Sequence, residues 1–581
     1  RSDTAFSTGD ENPFNQRGNL FNGVTVDRVV LNPAYDPEGP MDASNPQFVN
    51  VPGTRNGVPA SNDFNLVLLR ADIRGDWKLS DNLNLTGRLR AVLDPTVYEE
   101  FDPDAVGSQA VGRNYGRPHY FRYDAEGRSR SNPLEWTSRE GMIDLPSLYA
   151  SYNRGPLLVK FGNQEIAWGQ AIFFRVLDVP NGLDLRRHAV LDYATEEFQD
   201  KRVPSIALRS SYQFEGGWLA DGYVQRFQPT VLGNPNTQYN LIPSQFTVHD
   251  RYARFDDKLN FGLRLKGDLG KFGVQAIAAR RYNPDGVYRW TQSGVNRDLP
   301  GAPGSGAVLA QTAFEVDPTG VWSADEWYTY AAMARLNGTT GLNTAVAEFP
   351  AAALLGAFEA PNKTVAEIEL NTFFIGSGSG LRGHIERTYR RETNLGLGAS
   401  YITEGDPGSW LDQLIINVEA LYTPDRSFTN PSLSQKFLKQ EEFTTALVME
   451  KYQSLVKSLP ATYLVAQWLF KTRSDLLGRS LEGMGGDVDN TPGGKPNYNA
   501  FAFALQQPFP NLIWRADLAV LYEPSGGILV QPGLRWKPNG AVTVEAFYNY
   551  LNGGLNGNPN SNAISSLGYA DELTLRLGYQ F

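Results

Sequence analysis

The last stretch of the chain, Tyr569 to Phe581, keeps a period of two up to its final residue. Phe581, Tyr579, Leu577, Leu575 and Leu573 fall on one side of an extended chain, and Gln580, Gly578, Arg576, Thr574 and Glu572 on the other. A strand in a soluble protein would hide its apolar face in a core. A strand of a membrane barrel alternates because one face meets lipid and the other the lumen. A closing strand that ends in phenylalanine also carries the terminal signature by which outer-membrane barrels are taken up for assembly, so the barrel-assembly machinery is an expected partner through Phe581. The edge of a soluble sandwich is the rival reading, and the rest of the chain must decide between them.

The same alternation begins at Asn65 to Leu79. Val67, Leu69, Ala71, Ile73, Gly75 and Trp77 share one face, and Leu68, Arg70, Asp72, Arg74, Asp76 and Lys78 the other. That many consecutive charges on one face do not suit a dry core, but they suit a watery lumen. After a turn at Ser80 to Asn82 the returning strand turns Leu83, Leu85, Leu89 and Leu93 outward and Arg88 and Arg90 inward. Arg70, Asp72, Arg74, Arg88 and Arg90 are therefore expected to be lumen wall. Further strands are expected near 145–153, 157–163, 204–214, 218–227, 259–269, 272–282, 394–402, 412–422, 442–452, 462–472, 499–507, 512–522, 528–537 and 542–551. Each approaches the roughly 9 to 11 residues that cross a bilayer when tilted.

The connections alternate between tight turns, such as 154–155, 215–217, 270–271, 508–511 and 538–541, and longer loops that reach from Asn283 to Thr393. Short inner turns and long outer loops are the habit of outer-membrane barrels. Placing Phe581 on the periplasmic side puts every tight turn there, and parity then asks for one more strand ahead of the first, for which Arg1 to Phe6 is the candidate. The expectation is a single all-β transmembrane barrel over residues 1–581, with about 18 antiparallel strands or alternatively 16, and an insert over 283–393 folded into or over it. A monomer is expected.

Composition agrees. Mean hydropathy of −0.37 and the lack of an apolar run long enough for a membrane helix leave strands as the means of crossing. The chain has 27 Tyr and 11 Trp against 5 Met, which suits aromatic girdles, and a net charge of −10, which argues against nucleic acid as a partner. It has no cysteine. Arg1 opens the sequence without a leader, so for an exported protein the signal peptide is expected to have been removed.

Within the insert, Ala324 to Leu336 predicts a helix capped by Ser323 and ended by Asn337 and Gly338. Ala345 to Phe358 is small and apolar, either a plug or a greasy track for cargo. Gly376 to Gly380 reads as a flexible break, followed by Arg382, Arg387, Arg390 and Arg391, which either pair with acids or meet a lipid phosphate.

The stretch from Val159 to Pro204 contains Phe161-Gly162-Asn163-Gln164, Ala167-Trp168-Gly169-Gln170, Phe173-Phe174, Pro180-Asn181-Gly182-Leu183-Asp184, Arg186-Arg187 and Val203-Pro204. Here the chain resembles a proteobacterial family of outer-membrane barrels classed as a domain of unknown function, number thirteen-oh-two. In that family a strand ending in Gly-x-Gln leads into Trp-Gly-Glu or similar, then an Asn-and-Asp loop and a Pro that opens the next strand. The chain departs from the pattern with Gln170 in place of an acid and with Pro180-Asn181-Gly182 where Asn-Pro is usual. The resemblance extends more loosely from Phe64 to Phe581. It implies a place beside RND-superfamily permeases and a periplasmic or lipoprotein partner, sometimes with a propeller protein, in moving lipid or another hydrophobic molecule across the outer membrane. Trp168, Phe173 and Phe174 are expected either to anchor at the membrane surface or to form an aromatic binding mouth.

The histidines, His119, His188, His249 and His384, are all expected in loops, with no spacing suited to a metal. Asp487 with Asp489, and Asp102 with Asp104, could hold calcium or merely repel one another in solvent. The expected protein is therefore not an enzyme and has no cofactor apart from bound lipid or lipopolysaccharide. Its expected role is the outer-membrane part of a trans-envelope route for hydrophobic cargo, with the insert closing the pore at rest. A passive diffusion porin, an outer-membrane hydrolase and a surface adhesin are the rivals.

Overall fold

Period-two segments pair edge to edge until no edge is left. In the computed structural model, eighteen strands form one antiparallel ring. They are β1 (Ser2–Gly9), β2 (Leu66–Lys78), β3 (Leu83–Leu93), β4 (Gly141–Arg154), β5 (Leu157–Gln164), β6 (Ser205–Gln213), β7 (Leu219–Arg226), β8 (Leu259–Leu269) and β9 (Phe272–Tyr282), followed by β10 (Arg391–Ile402), β11 (Ile415–Phe428), β12 (Leu438–Gln453), β13 (Thr462–Lys471), β14 (Tyr498–Pro508), β15 (Trp514–Glu523), β16 (Gly527–Trp536), β17 (Val542–Asn552) and β18 (Glu572–Tyr579). Each pairs with its neighbours in sequence. β1 closes the ring by pairing with β18 on one side, Ser2 opposite Tyr579, and with β2 on the other, Ser2 opposite Ala71. The strand near Arg1 to Phe6 that parity asked for is this one, and the count is 18 rather than 16. The structure describes residues 2–9, 25–40, 44–54, 66–94, 121–123, 125–127, 132–186, 201–233, 242, 246–483, 494–556, 562–567 and 571–581.

Closure gives every strand of the ring a paired neighbour on both sides, which is what lets a sheet stand in hydrocarbon. The faces sort as the alternation demands. Leu573, Leu575 and Leu577 point outward, 44–50% exposed, and Leu263 and Leu397 are more exposed still. Aromatic pairs between neighbouring strands, Trp514 on Trp536 and Phe272 on Tyr401, stack on the outer surface near the tight turns, as a girdle would. Inside, the β2–β3 ladder is charged: Arg70 and Arg88 both reach Asp72, at 3.1 and 2.8 Å, and Arg90 makes a bidentate pair with Asp144 at 2.9 and 2.6 Å.

The insert departs from the expectation. Ala345 to Phe358 is not one helix but the end of a helix and a 3-10 turn, Pro350–Leu355, because Pro350 cannot continue the hydrogen-bonding of the turn before it. Helix α1 (Ala324–Met333) does start on the Ser323 cap, whose side chain accepts from the Glu326 N–H at 3.1 Å. Asn337, expected to end it, instead caps the next helix, α2 (Gly338–Ala347). A third, α3 (Lys363–Ser377), ends at Gly378, so the expected flexible break at 376–380 is a helix end that runs directly into a strand. Four strands unforeseen in the sequence, Phe246–Asp250, Val287–Trp290, Phe314–Val321 and Leu381–Thr388, form a separate sheet around 381–388. The apolar core of this unit, with Trp290, Phe314, Trp327, Leu342 and Phe374, takes no residue from the ring strands. It grows from the long-loop ends of β7 to β10 and packs on Leu433 and on the loop at 480–483.

Candidate functional site

The stretch after β5 crosses the lumen. Residues 165–186 leave the wall at Gln164 and cross to β13, eight strands further round the ring and nearly opposite. The strap is folded back on itself by Asn181, whose side-chain oxygen accepts from the Ile166 N–H at 2.9 Å and whose amide donates to the Val203 carbonyl at 2.8 Å. Three wall side chains then hold it. Asp221 on β7 accepts from the Trp168 indole at 3.1 Å while Arg209 and Arg264 pair with the same carboxylate. Glu419 on β11 accepts from the backbone N–H of Gln170 and, at 3.1 Å, of Leu177. Gln467 on β13 accepts from the Phe173 N–H at 2.8 Å and donates to the Phe174 carbonyl at 3.0 Å.

The wall is shaped for the strap. Gly169 has a φ of +83°, and a Cβ there would meet Glu419 Oε1 at 2.9 Å. Gly396 leaves a bare patch for Leu177, since a Cβ at that position would sit 2.4 Å from the leucine. Ile166, Trp168, Val176 and Leu177 are at most 3% exposed, packed against Tyr223, Ile277, Ala446 and Leu469 of the wall. Burying such side chains stabilises the strap by about 1.5–3 kcal/mol each.

Between the strap and the long loops lies a cavity of 420 Å³. Its lining is sorted round the ring. From β14 onward it is apolar, with Ala502, Ala519, Leu521, Leu529 and Leu567, apart from Gln531; Phe173 and Phe174 close it from the strap. The charges lie on the β9 to β13 side, with Arg281, Arg426 and Lys471 on the wall and Arg175 and Asp178 on the strap, interleaved there with Leu421 and Leu469. Asp285 lies beside Arg175. Burial alone would raise its carboxyl, but the Thr230 hydroxyl and the guanidiniums of Arg175, Arg281 and Arg387 hold it below the usual carboxylate range.

Several expected site residues lie elsewhere. Trp168, 2% exposed, sits in the strap's core and neither anchors at the membrane surface nor forms a mouth, because its indole is hydrogen-bonded inside the lumen. Phe173 and Phe174 line the cavity. Arg70, Asp72, Arg88 and Arg90 are paired wall charges away from the cavity, and Arg74, its side chain 61% exposed, faces Asp76 at 3.3 Å. Arg382 and Arg387 are wholly buried in the insert sheet, where Asp317 and Asp250 face them at 3.5 and 3.3 Å, so a lipid phosphate has no access to either. His249 and His384 were expected in loops. They lie on paired strands, with their rings hydrogen-bonded at 2.9 Å, because the insert sheet brings 246–250 beside 381–388. Asp102, Asp104, Asp487, Asp489, His119 and His188 lie outside the described residues. Arg175, Lys201, Glu419, Gln467 and Lys471 were missed. The signal for the wall residues among them was a polar side chain on the lumen face of an otherwise small or apolar strand.

The family model described as protein of unknown function (DUF1302) matches residues 53–581. The chain belongs to that family. The matched span holds the strap, the cavity and every ring strand but β1. No curated protein matches the chain. Among solved structures, OccAB3 of Acinetobacter baumannii is similar at 7% identity and a TM-score of 0.39, covering 100% of this chain and 98% of that one. OmpT, an outer membrane protein of Vibrio cholerae, is similar at 9% identity and a TM-score of 0.28, covering 100% and 97%. The closed ring with its outward apolar band makes this family member a multi-pass outer-membrane β-barrel.

Proposed function

We propose that the protein is the outer-membrane step of a trans-envelope route for lipid or other hydrophobic cargo, with no bond chemistry of its own. The observation that carries this reading is the 420 Å³ cavity inside the ring, largely apolar over the β14 to β16 wall, where the lining of a water-filled pore would be polar. A space of this size falls in the range of roughly 300–1,000 Å³ that encloses one small ligand. The strap forms its floor, so cargo moves on only when the strap shifts. An RND-type permease and a periplasmic or lipoprotein partner, implied by the family resemblance, would supply or receive the cargo. A hydrophobic or lipid-like molecule small enough for this space is the expected occupant.

The charged β2 to β4 wall favours a second reading, a passive diffusion pore. Planar-bilayer recording of the pure protein separates the two. A small or intermittent current that hydrophobic cargo alters supports the proposal, and a steady large open current overturns it in favour of the pore. Purification in native-membrane discs followed by lipid mass spectrometry tests the occupant directly.

A further inference from the structure

The charges around the cavity do not balance. Five of its lining side chains are cationic, Arg175, Lys201, Arg281, Arg426 and Lys471, and two are acidic, Asp178 and Asp285. Both acids are already engaged: Asp178 faces Arg202 at 2.9 Å and Arg175 at 3.7 Å, and Asp285 accepts from Thr230 at 2.6 Å. Arg281 and Arg426 find their acids in Glu392 and Glu442. Lys201 and Lys471 form no ion pair among the described residues, and Lys471 donates to a carbonyl, that of Asp475, at 3.0 Å. Both are only partly exposed. The acids nearest Lys471, Glu442 and Asp475, are engaged by Arg426 and Arg479, so a half-buried ammonium on this wall still gains from an arriving anion.

The apolar part of the lining lies on the strands beyond Lys471 and on residues 563–567, so the cationic and greasy walls are neighbours in one space. Resting on the cargo reading above, we infer that the cavity selects an amphiphile with one anionic headgroup, a carboxylate or phosphate, and a single apolar chain. The headgroup meets Lys471 and Lys201, and the chain lies along Leu521, Leu529 and Leu567. The volume suits one chain rather than the several of a whole membrane lipid.

The test uses the full chain in lipid nanodiscs with two photoreactive probes, diazirine-bearing hexadecanoate and the matching hexadecanol, and peptide mass spectrometry to locate the labels. The acid is expected to label the β15, β16 and 563–567 segments about tenfold more than the alcohol. Lys201→Gln with Lys471→Gln brings the ratio close to one, and Lys471→Arg retains it, with heat-modifiable gel migration verifying that each variant is folded. Where the double variant does not fold, the acid-to-alcohol ratio in the unaltered protein decides. Equal labelling by acid and alcohol, or a ratio that survives the double substitution, overturns the headgroup inference and leaves the cargo reading standing. Absence of lumenal labelling by either probe overturns the cargo reading itself. Competition by hexadecyl phosphate against hexadecanoate distinguishes the two headgroups.

Discussion

Replacing Gln467 by leucine removes the clamp that holds the strap's tip while nearly keeping the volume of the side chain. Two well-formed hydrogen bonds disappear, from the Phe173 N–H at 2.8 Å and to the Phe174 carbonyl at 3.0 Å, and the Ile172 N–H loses its contact at 3.2 Å. Each buried backbone group left unpaired costs about 1–3 kcal/mol. The two good bonds together put the loss at roughly 2–4 kcal/mol once part of the gap is filled by water, which is about 30- to 1,000-fold in the ratio of seated to unseated strap. Hydrogen exchange reads that ratio at the amides of 172–174, which should lose protection by this factor while the strands of β14 to β17 keep theirs. Planar-bilayer recording on the same protein should show a higher mean current. Unchanged exchange at 172–174 together with an unchanged current would refute the idea that Gln467 seats the strap.

Gly169→Ala forces a side chain onto a left-handed backbone and against Glu419; it should loosen the same strap with a smaller rise in current, the conformational part being about 1–2 kcal/mol. Asp144→Asn breaks the bidentate pair with Arg90 and leaves a buried guanidinium short of its counter-charge. It should destabilise the barrel by about 3 kcal/mol, read as a lower temperature for the shift in heat-modifiable gel migration, with the strap unaffected. The insert should loosen in acid before the barrel does. Burial holds the His384 imidazole below its ordinary 6.5, against the pull of the Glu315 carboxylate and with His249 and Arg382 also beside it. Burial pushes the Glu386 carboxyl up, but Arg251 and Arg289 hold it below its ordinary 4.5. Both groups bind protons more readily unfolded, so the stability they give is present above their ordinary values and is lost as pH falls, from about 6.5 for His384 and then further for Glu386. Exchange at 381–388 measured between pH 7 and pH 4 and corrected for intrinsic rate checks this; protection that holds constant, or a barrel that opens first, is the contrary result.

The ring was legible because each strand passes between lipid and lumen, so parity alone fixes what every residue meets. Leu573 to Leu577 and the Arg70 to Lys78 row carried that signal without help from distant sequence. The strand Leu381–Thr388 carried none. It is buried along its whole length, and its arginines, histidine and glutamate are tolerated only because Glu315, Asp317, Asp250 and Arg251 arrive from elsewhere to meet them. The strap was visible as a distinctive stretch but not as a crossing, because its shape is imposed by Asp221, Glu419 and Gln467, which lie up to 295 positions away. Aperiodic backbone held by remote side chains leaves no pattern of its own.

The core of the insert, which takes nothing from the ring strands, also bears on how such a protein can change. Because that core takes no residue from the ring strands, its side chains can be resized without touching the hydrogen-bonded ring, provided Val29 and Leu433, which pack into it, follow. A change there is answered first by Val29 and Leu433, while the strap and its pocket stay bound to the geometry of the wall.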